Sequence, residues 1–306
     1  MSIVAEKIKT FLNYTKLNLG ENALAVALSR AEVAERRADE AESNTVALQS
    51  RLDALNSPPK HPPPLVDASL SGWFKHETGE LIEGFKIDAD DIVLDIGCGD
   101  SPFLEFCANQ KAEVIFADID EEKVNAMAER LAQTPAKAVT PLVTDSNPIP
   151  LADGTATKVI AMEVLEHVDD PALFLAELVR VGKPGSLYLI TVPDPVAETL
   201  QKFLAPDSYF MKPNHVRIIQ RDQFAQWIED AGLVIETKKS YGFYWSMWWM
   251  FFWACKQDLN PPWHPLLESW SATWGALLST DDGARIKKTL DDFMPKSQAI
   301  IARKPY

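Results

Sequence analysis

Cysteine is scarce, positive charge is in deficit and no apolar run is long, and each shortage excludes a class of protein. The 306 residues hold three cysteines, Cys98, Cys107 and Cys255. That number is odd and their spacing fits no metal-ligand pattern, so a disulfide frame is not expected and a reducing, cytoplasmic setting is. Lysine and arginine total 30 against 44 acidic residues, a formal charge of −14. Phosphate backbones are held by clustered Lys and Arg, so nucleic acid is not an expected partner. The longest uncharged stretch, residues 240–255, is shorter than the ~20 apolar residues that span a bilayer. The start, MSIVAEKIK, has no basic-then-apolar export pattern. Hydrophobic residues make up 46% of the chain, the composition of a folded protein.

Residues 22–55 carry Leu24, Ala27, Ala31, Ala34, Ala38, Ala41, Thr45, Leu48, Leu52 and Leu55 at alternating spacings of three and four. The seam predicts a long helix whose apolar stripe suits a coiled coil and hence a homo-oligomer. A lone charged helix is the plainer alternative. Ile3, Val4, Ile8, Phe11 and Leu12 mark a shorter helix before it, so residues 1–55 read as an N-terminal helical region. Five prolines in residues 58–64 cannot continue a helix, and 56–70 reads as a semi-rigid spacer.

From about residue 80, short apolar runs alternate with amphipathic helices. Strands are expected at 91–96, 113–118, 138–143, 158–162, 186–192, 233–240 and 298–303. Helices fall between them at 121–133, 171–181 and 221–231, the last closed by Gly232. The pattern predicts an α/β, doubly wound, mostly parallel seven-stranded sheet of Rossmann type over 71–306. Residues 241–296 form an aromatic-rich insertion before the last strand.

The first of these strands runs directly into Gly97, Cys98 and Gly99. In a doubly wound sheet the ligand sits beyond the carboxyl ends of the strands, where glycines let the backbone turn tightly and approach it closely. A dinucleotide fold would place a third glycine three residues on, and Pro102 stands there. Acids end the neighbouring strands as well: Asp95 lies inside the first, Asp118 closes the second and Asp145 follows the third. Such a wall of acids repels a phosphate-rich ligand.

Residues 93–99 (VLDIGCG), Phe116-Ala-Asp118, Thr144-Asp-Ser146 and 162–168 (MEVLEHV) together resemble the class I S-adenosylmethionine (SAM)-dependent methyltransferases, in the branch with a Glu-Val-Leu-Glu-His motif. The resemblance covers roughly residues 72–240 and 297–306. It implies that SAM is held by Asp95, Gly97, Cys98, Gly99, Asp118, Ile119, Asp145, Ser146 and Glu163. Within that set, Asp118 would bind the ribose hydroxyls and Asp145 the adenine amino group. A catalytically silent SAM-binding scaffold is the alternative from another class.

Methyl transfer from a sulfonium needs the acceptor positioned and deprotonated. Glu163, Glu166 and His167 follow the fourth strand, and His215 precedes the helix at 221–231. Two uses stay open. His167 or His215 acts as general base while Glu166 orients the loop. Otherwise Glu163, Glu166, His167 and His215 hold a divalent metal, Mg²⁺ or Mn²⁺, as in the relatives that methylate RNA 3′-ends and some ubiquinone-pathway enzymes, which this arrangement resembles. Seven of the nine tryptophans lie between Trp245 and Trp274. They read as a buried helix, as a lid on which a sugar or hydrophobic acceptor stacks, or as a patch, 241–274, touching a membrane surface. A small-molecule or glycan acceptor is expected. O-methylation of a sugar hydroxyl in cell-surface glycan synthesis, at the inner membrane face, leads a quinone or other lipid precursor.

Overall fold

The computed structural model describes residues 10, 21–56, 62–100 and 102–306, in two units, residues 1–60 and 61–306. In the first, helix α1 runs Glu21–Asn56 where the heptad seam predicts it. Ala34, Ala38, Ala41 and Thr45, the middle of the seam, are exposed along the single chain. The apolar residues of the short helix expected around Ile3–Leu12, and Pro58 and Pro59 of the proline run, lie outside the described residues.

The second unit begins with helix α2, Pro63–Leu70, on residues expected to be extended spacer. Proline is tolerated in a first helical turn because its missing N–H would have no partner there, so Pro63 and Pro64 start this helix rather than prevent it. A small antiparallel sheet follows: β1 (Trp73–Lys75), β2 (Glu80–Ile82) and β3 (Phe85–Lys86). Strands of two or three residues are too short to show a period of two, which is why the pattern missed them.

The main sheet and its helices follow the predicted order. They are β4 (Ile92–Ile96), α3 (Phe103–Asn109), β5 (Glu113–Asp118), α4 (Glu121–Leu131), β6 (Ala138–Val143), β7 (Ala156–Met162), α5 (Pro171–Val181) and β8 (Gly182–Pro193). After β8 come α6 (Pro195–Gln201), a 3₁₀ turn (Asp207–Phe210), α7 (Arg221–Asp230) and β9 (Val234–Tyr241). The insertion supplies α8 (Phe243–Ala254), α9 (Pro265–Leu278) and α10 (Gly283–Phe293) before β10 (Ser297–Arg303). The seven strands lie in the order β6-β5-β4-β7-β8-β10-β9. All neighbours are parallel except β10, which runs antiparallel to both β8 and β9. One apolar cluster covers each face of this sheet, α5 and α7 on one side, α3 and α4 on the other. The direction of winding reverses between β4 and β7, so a crevice opens past their carboxyl ends. Among the described residues, no helix is long and apolar enough to cross a membrane.

The insertion has a core of its own. Phe243, Tyr244, Trp248, Phe252, Leu267 and Trp274 are buried together. Trp248 stacks on Phe252 with ring centroids 5.4 Å apart. A buried ionic clamp joins this block to α2. The Lys287 ammonium donates to Ser71 Oγ at 2.7 Å and to Asp291 Oδ2, and lies 3.5 Å from Asp67 Oδ1. Trp274 Nε1 donates to the same Asp67 oxygen at 2.9 Å, and Asp291 Oδ1 accepts the Phe243 N–H that opens α8. Burial, with Asp291 adding repulsion, pushes the Asp67 carboxyl up to about 6.

Removing one partner of a buried charge cluster strands the others. Lys287→Met is therefore expected to lower the unfolding free energy by about 3–5 kcal/mol, read from urea titration. An unchanged midpoint would remove the clamp from the account of how the insertion is held.

Candidate active site

The turn after β4 is shaped by its glycines. Gly97 and Gly99 have φ of +75° and +48°, values that L side chains adopt at a cost. Gly97 N–H and Cys98 N–H both donate to Ala117 O, at 2.8 and 3.1 Å, tying the turn to the end of β5. Asp118, the last residue of β5, then bridges outward: Oδ2 accepts from Gly99 N–H at 3.1 Å and Oδ1 from Asp120 N–H at 3.0 Å. Helix α4 is capped by Asp120, which leaves Asp118 free of that duty. Asp145 is exposed, and its Oδ1 accepts Asn147 N–H at 3.0 Å. Ser146 beside it is buried, with φ of +64°, and Ile119 is exposed.

Past the turn lies an open cleft of about 490 Å³. Asp95, Gly97, Cys98 and Gly99 form its floor, and the polar Glu163, His215, Lys296 and Ser297 line it together with the aromatic Tyr209, Tyr241, Trp245 and Trp249. The two kinds of side chain are interleaved: Tyr209 packs on His215 with ring centroids 4.6 Å apart, and Tyr241 pairs with Ser297 between β9 and β10. Of the residues predicted to hold a cofactor, Asp118, Ile119, Asp145 and Ser146 sit outside this chamber, along the ends of β5 and β6. The Asp95 carboxyl is buried, and burial together with Asp118 raises it to about 8. Burial, then Asp95 and Asp118, push the Cys98 thiol up to about 12, so it stays protonated and unreactive.

Glu163 opens the turn after β7 with φ of +54°. Its Oε1 accepts from Thr191 Oγ1 at 3.1 Å and its Oε2 from Lys296 Nζ at 2.9 Å. Burial opposes the Lys296 charge, but Glu163 and Glu198 outweigh it and hold the ammonium above its ordinary pKa. The expected four-residue metal set therefore does not assemble. Glu163 is committed to Lys296, and only Glu166, His167 and His215 bring ligand atoms within 4.8 Å of one another. Glu166 is buried, with no hydrogen-bond partner for either carboxyl oxygen among the described residues. Burial and the nearby Glu163 raise its pKa well above the carboxylate range.

Arg217 brings the two histidines together. Its guanidinium donates to Leu165 O, Val168 O and Asp169 O, stapling the segment before α7 onto the turn after β7. His167 and His215 meet edge to face with centroids 4.8 Å apart. Burial and then His215 lower the His167 pKa, and its Nδ1 faces Pro213 O at 3.1 Å. His215 Nδ1 faces Glu198 Oε2 at 2.8 Å. Of Glu166, His167 and His215, only His215 lines the cleft. Sequence reasoning missed Glu198, Tyr209 and Lys296. The Asp194-Pro195 helix start was legible and would have placed Glu198 one turn along, but nothing in the sequence ties it to His215.

Residues 73–238 match the family model described as a methyltransferase domain. The chain is 26% identical over 144 residues to a probable S-adenosylmethionine-dependent methyltransferase of Mycolicibacterium smegmatis, covering 47% of this chain and 52% of that protein. It is 27% identical over 150 residues to the ubiquinone biosynthesis O-methyltransferase of Thiobacillus denitrificans, covering 47% and 65%. The chain thus spans about half the length of the mycobacterial relative. Among solved structures, a SAM-dependent methyltransferase from Aquifex aeolicus overlays with a TM-score of 0.44 at 24% identity, over 60% of this chain and 94% of that one.

A Cβ at Gly97 would lie 2.6 Å from Val164 Cγ2, in the turn after β7. Gly97→Ala combines that clash with a left-handed backbone, and is expected to destabilise by about 1–3 kcal/mol. Thermal unfolding of the variant tests this; a wild-type midpoint would mean the two turns are not packed as described.

Proposed function

The chain belongs to the SAM-dependent methyltransferases, and from that premise we propose that it O-methylates a sugar hydroxyl, with His215 as general base. The observation that carries the reading is the mixed lining of the cleft. Trp245, Trp249, Tyr209 and Tyr241 line it together with His215, Glu163, Lys296 and Ser297. A sugar ring has matching chemistry, with C–H faces that lie on aromatic rings and a rim of hydroxyls that hydrogen-bond.

The donor set fits SAM. Asp118 and Glu163 supply negative charge where the cofactor brings positive charge, and Asp95 can ionise against it. A Cβ added at Gly99 would project into open space, so the backbone there stays open to a ligand. We assign the amino-acid end and sulfonium to the floor at Asp95, Gly97, Cys98, Gly99 and Glu163, and the nucleoside to Asp118, Ile119, Asp145 and Ser146. When bound, SAM supplies an electrophilic methyl group on a sulfonium, which a lone pair on oxygen can displace.

With His215 Nδ1 turned to Glu198, Nε2 is the nitrogen left to take the acceptor's proton. Burial lowers the basicity of His167, and burial with Glu163 raises the Glu166 pKa. Both orient the turn rather than meet substrate. The reading assigns them no metal ion, since the Glu166 surroundings disfavour the charged form a metal ligand needs and Glu163 is paired with Lys296. α1 is read as pairing with a second copy along its exposed seam, and the protein as cytoplasmic, working where lipid-carried glycans are assembled.

Methylation of a phenolic quinone precursor is the second reading. It is favoured by the aromatic lining and by the similarity to the Thiobacillus enzyme.

Purified protein, SAM and a panel of glycosides, nucleotide sugars and phenols, followed by mass spectrometry for a methyl gain, separates these. A methylated sugar hydroxyl supports the proposal, and a methylated phenol alone replaces it with the second reading. His215→Ala should lower turnover about 10²–10⁴-fold with SAM affinity retained. Activity should survive chelation, and activity lost to a chelator and restored by Mn²⁺ would overturn the metal-free assignment.

Asp95 gives a further test. Its carboxyl, raised to about 8 by burial and Asp118, is protonated in the free protein at pH 7, and a cationic ligand favours the ionised form. SAM binding is therefore expected to release up to one proton, and affinity to rise from pH 6 to 7.5. Calorimetry in buffers of different ionisation enthalpy reads the proton directly. The Asp95→Asn variant should release none.

A further inference from the structure

We propose that Glu198 is the positioning residue for His215, and that the aromatic insertion holds it in place through α6. The proposal rests on the reading of His215 as base. Glu198 is 1% exposed, and its side chain has a single hydrogen-bond partner among the described residues, His215 Nδ1, at 2.8 Å from Oε2. Oε1 finds none among the described residues. A buried carboxylate with half its hydrogen-bonding capacity unused is a poor device for stability. It is an effective device for fixing an imidazole, because an ionised carboxylate can only accept. It selects the Nδ1–H tautomer and leaves the Nε2 lone pair for the acceptor.

The helix that carries Glu198 is itself fastened at both ends. Asp194 caps it by accepting Val196 N–H and pairs with Arg221 Nε at 2.7 Å. One turn beyond Glu198, on the same helix face, Gln201 Oε1 accepts from Trp253 Nε1 of α8 at 3.1 Å. Tyr209 closes the gap, its ring 4.6 Å from His215 and 5.0 Å from Trp253. The insertion that forms the acceptor wall thus also sets the angle of the base.

In the transfer, a lone pair of the acceptor oxygen forms the bond to the methyl carbon. The S–CH₃ bond breaks with its electrons staying on sulfur, which becomes a neutral thioether. The hydroxyl proton goes to His215 Nε2, and the imidazolium keeps its Nδ1–H on the Glu198 carboxylate until solvent removes the extra proton. Other ionisable groups around the ring are His167 and Glu166 from the turn after β7 and Tyr209 from the 3₁₀ turn, with the Glu163–Lys296 pair beyond them. Glu198 is the one hydrogen-bonded to it.

The test compares Glu198→Gln, Glu198→Asp and His215→Ala in the full-length protein, measuring kcat, acceptor KM, SAM affinity and the pH dependence of kcat. Glu198→Gln should lower kcat about 10²-fold with KM and SAM affinity within about twofold. Losing the carboxylate makes the imidazole less basic, so the acid limb of the profile should move to lower pH by about one unit. Glu198→Asp should recover part of kcat and of the limb. A Glu198→Gln enzyme with wild-type kcat and an unmoved limb, or one that loses SAM affinity in parallel, overturns the proposal. If His215→Ala also keeps its activity, the base reading fails; if it does not, only the positioning role does. Should Glu198→Gln not fold, nitrogen NMR of the wild type decides: His215 as the Nδ1–H tautomer supports the proposal, and Nε2–H overturns it.

Discussion

Three carboxyl groups, Glu163, Glu166 and Glu198, are packed behind the cleft around one ammonium, Lys296, and that imbalance governs the site. One cation cannot satisfy three anions in a low dielectric. Of the three carboxyls, the Lys296 ammonium bonds directly to Glu163, so the other two must find different solutions. Burial and Glu163 push the Glu166 pKa up and favour its neutral form, while Glu198 takes an imidazole N–H. The cluster thereby sorts chemically similar side chains into an ion-paired wall, a neutral filler and an orienting group.

The position of Lys296 explains why a reversed strand matters. Lys296 immediately precedes β10, and its N–H and C=O bond to Tyr241 O and Asp194 N–H. The chain therefore re-enters the sheet at the height of the carboxyl ends of β7 and β8. A parallel strand would begin at the opposite edge, about seven residues away. Running β10 antiparallel delivers the insertion's last residue beside Glu163, so that the counter-charge and the aromatic lining arrive together.

Most of the sheet was legible because its strands are buried on both faces and read as apolar runs with glycine and acid at their ends. The glycine turn could be read for a comparable reason, since Gly97 and Gly99 occupy left-handed backbone that the pattern requires. Three members of the predicted metal set, Glu166, His167 and His215, come together, and the fourth, Glu163, is drawn off by Lys296, 133 positions away in the sequence, where neither motif mentions the other. Glu198 escaped in the same way. Local periodicity places it on a helix, and only the fold brings that helix against His215.

The aromatic helix α8 posed three readings that its composition could not separate, and the reason lies in its two faces. Trp245, Trp249 and Trp253 recur every four residues, as do Tyr244, Trp248 and Phe252, one position behind. Residues four apart share a helix face, so these are adjacent stripes. The first includes the two tryptophans that line the cleft and the one that packs on Tyr209. The second is buried in the insertion's own core. A helix apolar on every side carries no amphipathic signal to say which stripe faces inward, so the buried-helix reading holds for the second stripe while the first stands at the cleft, where the acceptor platform is proposed.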